Sequence, residues 1–250
     1  MTRRPGRVAL VIQARMTSTR LPGKVLLPLA GEPLVRRVAE RALRVAGVDT
    51  VVIAIPEGDR HRPIRTAVDG MSGVEVTEGP EDDVLHRTVA AAEVVGAETV
   101  VRITSDCPLF DPTVSSAVLQ LARSLGVPYA RTTGRTGFPH GFDTEVVSVS
   151  ALQEAMEKAD AFEREHVTPY VWRHPERFAA AYVGHQPDLR SWRLTVDTAQ
   201  DYELARAVYD ELWPEHPAFG LAQLAALFRR RPDLLQLNAG STGPEVGIPA

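Results

Sequence analysis

The chain begins its regular pattern with VALVI at Val8–Ile12, an unbroken β-branched apolar run of buried-strand length, and then breaks into the polar loop QARMTSTRLPGK. From Leu34 the apolar positions switch to helical spacing, at Leu34, Val38, Ala42 and Val45, which predicts a helix over Leu34–Ala46. The alternation continues, with strands predicted at Val8–Gln13, Thr50–Ile55, Val74–Thr77 and Thr99–Thr104 and helices over Arg60–Asp69 and Val84–Val95. Strand and helix in turn over the first hundred residues describe a doubly wound, mainly parallel sheet. Asp111-Pro112 then reads as the cap and first residue of another helix, carrying Val114, Val118, Leu121 and Leu125.

Beyond Tyr129 the pattern loosens. A glycine-rich loop, TTGRTGFPHGFDTE, precedes a short strand at Glu145–Ser148, a helix from about Ser150 and the polar segment FEREHVTPYVWRHP. Further strands are predicted at Phe178–Val183 and Trp192–Val196. Asp197 or Thr198 then caps a helix with Tyr202, Ala205, Val208 and Leu212 on one face, and a last helix covers Leu221–Arg230. Residues 238–250, NAGSTGPEVGIPA, are rich in Gly and Pro without periodicity and read as a flexible tail. Residues 1–237 are therefore expected to form one domain.

Composition narrows the function classes. The 250 residues are 44% hydrophobic and 24% charged, and the net charge of −4 argues against a broad nucleic-acid surface, so any anion site must be local. Cys107 is the one cysteine, which excludes an internal disulfide framework and a cysteine-built zinc site. No run of 18 apolar residues occurs, and VALVI is too short for a signal-peptide core. A cytoplasmic protein with no membrane partner is the expectation.

The loop after the first strand carries Arg15, Arg20 and Lys24. At the carboxyl edge of an open α/β sheet, where ligands bind, such a loop suits nucleotide phosphates. Of the 28 basic residues 26 are arginine, so Lys24 is one of two lysines, and a compact ammonium on a flexible stem differs from a guanidinium fork against a polyphosphate. Two acids follow strands in the same way. Asp106, in TSDCPL, ends the Thr99–Thr104 strand, and Asp197 follows SWRLTV; together they could hold Mg²⁺ against phosphate oxygens. Each has a structural alternative, since Asp before Cys-Pro is good turn chemistry and Asp197 fits a helix cap.

Glu81, Asp82 and Asp83 suit a solvated helix N-terminus. Arg102 lies in an apolar strand and needs a partner, Asp83 for instance, unless it reaches the site. His140, Asp143, Glu145, Glu165 and His166 form a polar group suited to a substrate pocket, with His166 able to orient a substrate hydroxyl or pair with Asp143. Cys107 has no activating partner and reads as a small buried residue.

In order along the chain, QARMTSTRLPGKVL, GPEDDVLHR, TSDCPLFDP, REHVTPY and LTVDTAQDYE resemble the cytidylyltransferase family that activates acidic sugars such as 3-deoxy-manno-octulosonate and sialic acid. The resemblance spans about residues 8 to 212 and is greatest to the spore coat polysaccharide biosynthesis branch. It implies a Rossmann-like α/β sandwich of the nucleotide-diphospho-sugar transferase (GT-A) type with a mixed, mainly parallel sheet. Residues 1–110 would be the nucleotide-binding half and 111–237 the acceptor half, and a homodimer is also implied. The implied nucleotide set is Gln13, Ala14, Arg15, Ser18, Arg20, Lys24, Asp83 and Thr104. The implied catalytic set is Arg15, Lys24, Asp106 and Asp197, the two aspartates binding Mg²⁺. Ser105 stands where this branch usually has glycine. The expectation is a CTP-using nucleotidyltransferase that releases pyrophosphate and has an acidic sugar or related small molecule as its acceptor. The alternative is a glycosyltransferase on the same fold, against which stands the lack of an Asp-x-Asp motif.

Overall fold

VALVIQ becomes β1 (Val8–Gln13), paired with parallel strands at both edges and buried on both faces because helices cover the two sides of the sheet. The structure is a computed structural model that describes residues 6–132 and 137–241. Residues 133–136 of the glycine-rich loop and 242–250 of the expected tail lie outside the described residues. After β1 come a two-residue antiparallel ribbon, β2 (Pro28–Leu29) and β3 (Glu32–Pro33), and then α1 (Leu34–Ala42). The first half continues through β4 (Thr50–Pro56), α2 (Arg62–Ala67), β5 (Val74–Gly79), α3 (Val84–Val94) and β6 (Thr99–Thr104). The second contains α4 (Pro112–Leu125), β7 (Tyr129–Thr132), β8 (Glu145–Ser148), α5 (Val149–Lys158), α6 (Ala161–His166) and α7 (Pro169–Arg173). It ends with β9 (Ala180–Val183), α8 (Ala199–Leu212) and α9 (Leu221–Arg230).

The main sheet has the order β5-β4-β1-β6-β8-β7-β9, and β8 alone among these strands runs antiparallel to its neighbours. It is the mixed, mainly parallel sheet that the sequence implied. Alternate residues of β1 face two cores. Val8, Leu10 and Ile12 pack with α1, α4, α8 and α9, whereas Ala9 and Val11 pack with α3, α5 and α7. From β1 the chain moves outward to β4 and β5 and returns on the other side as β6, so β1 and β6 flank the point where strand order reverses. Ligands of open α/β sheets bind at that point.

Several expectations needed correction. The first helix stops at Ala42, four residues early, as the chain turns toward Gly47 at φ 87°. Trp192–Val196 is not a strand, because its amide hydrogens go to loop carbonyls: Leu194 N–H donates to His140 (2.7 Å) and Val196 N–H to Asp106 (2.7 Å). β7, α6 and α7 are too short to show a period in sequence. The expected flexible tail does not begin at Asn238, which is 4% exposed and donates to the Arg193 carbonyl and to Asp201 Oδ1, both at 2.9 Å.

Candidate active site

The register Gln13↔Thr104 brings the ends of β1 and β6 side by side, and Ser105 N–H donates to the Gln13 carbonyl at 3.1 Å. The loop 14–24 leaving β1 therefore starts beside Asp106. Gly23, at φ 71°, closes that loop by donating its N–H to the Met16 carbonyl at 3.0 Å, and the turn delivers Lys24 back to the sheet edge. The Asp106 carbonyl accepts from Val196 N–H and from the Thr195 hydroxyl (3.2 Å), which pins the segment before α8 against the same edge.

Three charged side chains meet there. Lys24 Nζ lies 2.9 Å from Asp106 Oδ2, 2.9 Å from Asp197 Oδ1 and 2.7 Å from the Val196 carbonyl. Asp197 also receives Arg20 Nη2 at 3.1 Å and Arg193 Nη2 at 2.8 Å. Burial opposes the charge on Lys24, but Asp106 and Asp197 outweigh it and hold the ammonium above its usual pKa. Burial likewise opposes ionisation of Asp106, yet Lys24 and the Thr104 hydroxyl hold the carboxyl below the usual range. The capping alternative for Asp197 falls, because Thr198 caps α8 through a reciprocal pair with Asp201. Lys24 thus stands between the two acids.

The remaining residues expected to bind the nucleotide divide. Ala14 is buried and donates its N–H to the Ala54 carbonyl (3.2 Å), Ser18 is half-buried in the loop, and Thr104 hydrogen-bonds Cys107 Sγ at 3.2 Å. Arg15 is half-buried and makes no hydrogen bond to described residues; it faces Glu81 and Arg87 electrostatically. Asp83 is committed elsewhere, capping α3 at His86 N–H (2.9 Å) and pairing with Arg164 (2.5 Å). The sequence reading missed two groups that hold the loop: buried His61 accepts from Met16 N–H at 3.2 Å, and Glu81 accepts from the Thr17 hydroxyl. Arg193 was missed as well, although its position four residues before Asp197 was a signal.

Of the residues expected at the acceptor, His140 and Asp143 sit 3.6 Å apart and half-exposed. Gly141 lets their loop pack on the Asp197 segment: its φ is 102°, and a Cβ there would lie 2.6 Å from the Leu194 carbonyl carbon. Glu145, expected in the pocket, is instead the buried centre of a network, with one oxygen on Arg102 and the other accepting from the Tyr129 and Thr168 hydroxyls. Arg102 thus pairs with Glu145 and with Gln13 Oε1 (3.0 Å), and not with Asp83. Glu165 is exposed on α6, and the half-buried His166 packs its ring 4.3 Å from Phe162. Burial lowers the His166 pKa, which favours the neutral imidazole. Burial, with Asp106 and Asp143 nearby, pushes the Cys107 thiol well above its usual pKa. Native protein is therefore expected to consume no thiol reagent until denaturant is added, when one equivalent per chain reacts.

Comparison with known proteins bears on the same edge. The cytidylyltransferase family matches residues 9–236, the stretch that contains every element of this site. The chain belongs to the cytidylyltransferase family. This cytidylyltransferase is 34% identical over 235 residues to the spore coat polysaccharide biosynthesis protein SpsF of Bacillus subtilis, covering 90% of this chain and 95% of that one. It is 36% identical over 137 residues to the 3-deoxy-manno-octulosonate cytidylyltransferase of Geobacter sulfurreducens, covering 54% and 53% of the two chains. Its fold matches a solved cytidylyltransferase of Leptospira borgpetersenii with a TM-score of 0.87 at 28% identity, over 93% of this chain and 98% of that one. Among the described residues, no helix is long and apolar enough to cross a membrane.

Proposed function

We propose that this enzyme transfers CMP from CTP to an oxygen of an acidic sugar or a related acceptor, releasing pyrophosphate, in the synthesis of polysaccharide or glycoconjugate precursors. The observation that carries this reading is the convergence of Asp106 and Asp197 on one cationic nitrogen, 2.9 Å from each. Two carboxylates that meet on one cation are a donor set suited to Mg²⁺, which binds one or two protein carboxylates and completes its shell with phosphate oxygens and water. Bound there, Mg²⁺ would neutralise charge on the α-phosphate and the leaving pyrophosphate.

The chain's own residues do the rest. Lys24 is the resident counter-ion of the acids and, on a flexible stem, moves from them to the triphosphate when the nucleotide arrives. Arg20 and Arg15 supply further positive charge along the loop, drawing electrons toward the leaving group. In this reading His140, Asp143 and His166 serve the acceptor, and a neutral His166 accepts a proton from an attacking hydroxyl. The relatives named for 3-deoxy-manno-octulosonate favour a sugar acid as the acceptor. A cytoplasmic homodimer fits the same reading.

The test is pyrophosphate release from each of the four nucleoside triphosphates with Mg²⁺, offered acidic sugars, hexose derivatives and phosphonates in turn. Release is expected with CTP and an acid. Sugar transfer from a nucleotide-sugar without triphosphate would replace this reading with glycosyl transfer. Asp106→Asn is expected to abolish turnover, a loss of at least about 10²-fold, with an unchanged circular dichroism spectrum; near-normal release by that variant would remove the carboxylate from the chemistry.

A further inference from the structure

One row of charge crosses the sheet away from the Lys24 centre. Arg102 on β6, Glu145 on β8 and Arg131 on β7 are register neighbours, and Tyr182 on β9 is next to Arg131. One acid serves two guanidiniums, and it is already taken: Glu145 binds Arg102, Tyr129 and Thr168. Arg131 is 8% exposed, its Nε has no hydrogen-bond partner, and no hydrogen bond or ion pair to described residues holds its guanidinium. Its surroundings are aromatic, with the rings of Tyr129, Trp172 and Tyr182 at 5.7, 5.4 and 5.9 Å. A buried cation without an acceptor is costly to the free protein, and aromatic faces leave its N–H edge unused. Tyr182 is 52% exposed, so the box opens to solvent on that side.

We propose that Arg131 is an anion-binding residue for the acceptor: its guanidinium fork receives the acceptor's carboxylate, with Trp172 and Tyr182 as walls. The fork matches a carboxylate in plane, and stacking on aromatic faces keeps that edge free. Position supports this assignment. β8 alone separates β7 from β6, the strand that ends at Asp106, so about 9–10 Å lie between the strand lines. An acid anchored at Arg131 extends its sugar body toward the α-phosphate position near Asp106. This assignment rests on the acceptor being an acid, as proposed above.

The experiment compares the wild-type chain with Arg131→Met and Arg131→Lys, using 3-deoxy-manno-octulosonate, N-acetylneuraminate and their methyl esters as probes. Binding is read without turnover from tryptophan fluorescence, since Trp172 adjoins the site, and turnover from pyrophosphate release. Arg131→Met is expected to raise the Kd and KM for an acid about 10–100-fold and to leave the KM for CTP within about twofold. Arg131→Lys should fall between, keeping charge but losing the fork. The methyl esters should bind the wild type as weakly as the acids bind the methionine variant. The Tm of Arg131→Met should not fall, because an apolar side chain replaces a buried charge that makes no ion pair with the described residues. An unchanged Kd for every acid in both variants overturns the assignment, as does an absence of carboxylate-dependent binding by the wild type. Equal pyrophosphate release from acid and ester would overturn the Arg131 site and leave nucleotidyl transfer standing. Arg131-dependent binding of acids without pyrophosphate from any triphosphate would do the reverse.

Discussion

Replacing Lys24 by methionine is expected to slow CTP-dependent pyrophosphate release by about 10²–10³-fold and, in the nucleotide-free protein, to tighten binding of Mn²⁺. The two effects have opposite signs for one reason. The ammonium sits 2.9 Å from each of Asp106 and Asp197, so it competes with any metal for the same carboxylate oxygens before the nucleotide binds. Methionine preserves the length of the stem and removes that competitor, leaving two facing acids whose repulsion a divalent ion relieves. Once the triphosphate is bound, the same change removes a positive charge from the leaving-group side, and turnover falls. Electron paramagnetic resonance titration of Mn²⁺ checks the first effect and a coupled pyrophosphate assay the second. Unchanged Mn²⁺ affinity would mean that the two aspartates do not act as a metal site, and near wild-type turnover would take Lys24 out of the transition state.

Glu145→Gln is expected to cost about 3–5 kcal/mol of folding stability, the usual penalty for leaving a buried charge without its partner. At about 2–4 °C per kcal/mol for a chain of this size, the melting temperature should fall by roughly 10 °C. The stranded group is Arg102, only 13% exposed, and the Tyr129 and Thr168 hydroxyls lose a charged acceptor as well. The pH dependence has a definite sign. Burial opposes ionisation of Glu145, but Arg102, Thr168 and Tyr129 outweigh it, so the folded carboxyl titrates below its usual range. Its contribution is complete above the unfolded glutamate pKa of about 4.3 and is lost as pH falls through the lower folded value. Wild-type stability should therefore drop in acid below about pH 4 more steeply than that of the variant. Thermal melts between neutral and acid pH would show it, and parallel curves for the two proteins would count against the pair.

Much of this was legible along the chain, and the parts that were not share a cause. β1, β6 and α9 are at their expected bounds because burial on both faces, or one apolar helical face, is a periodic signal. Trp192–Val196 has the composition of a strand, yet Val196 and Leu194 bond to the loop carbonyls of Asp106 and His140, far back along the chain, and composition carries no partner. Arg102 was recognised as needing an acid, but local reasoning offered Asp83, whereas register across β6 and β8 supplied Glu145. Asp83 was unavailable because it caps α3 and holds Arg164. His61 carries no motif and Glu81 reads locally as a helix N-terminus, so their grip on Met16 and Thr17 exists only where α2 and the end of β5 meet the loop after β1.

By itself the sequence determined the alternating α/β architecture, the cationic loop after the first strand and the two acids after later strands, because each depends on neighbours close in the chain. Tertiary structure alone decided that Lys24 lies between Asp106 and Asp197, that Glu145 belongs to Arg102, and that no acid among the described residues pairs with Arg131. Those relations arise from strand register and order, which set residues up to 173 positions apart within 3 Å of one another. Electrostatic pairing follows distance in space, and no periodic pattern along the chain encodes it.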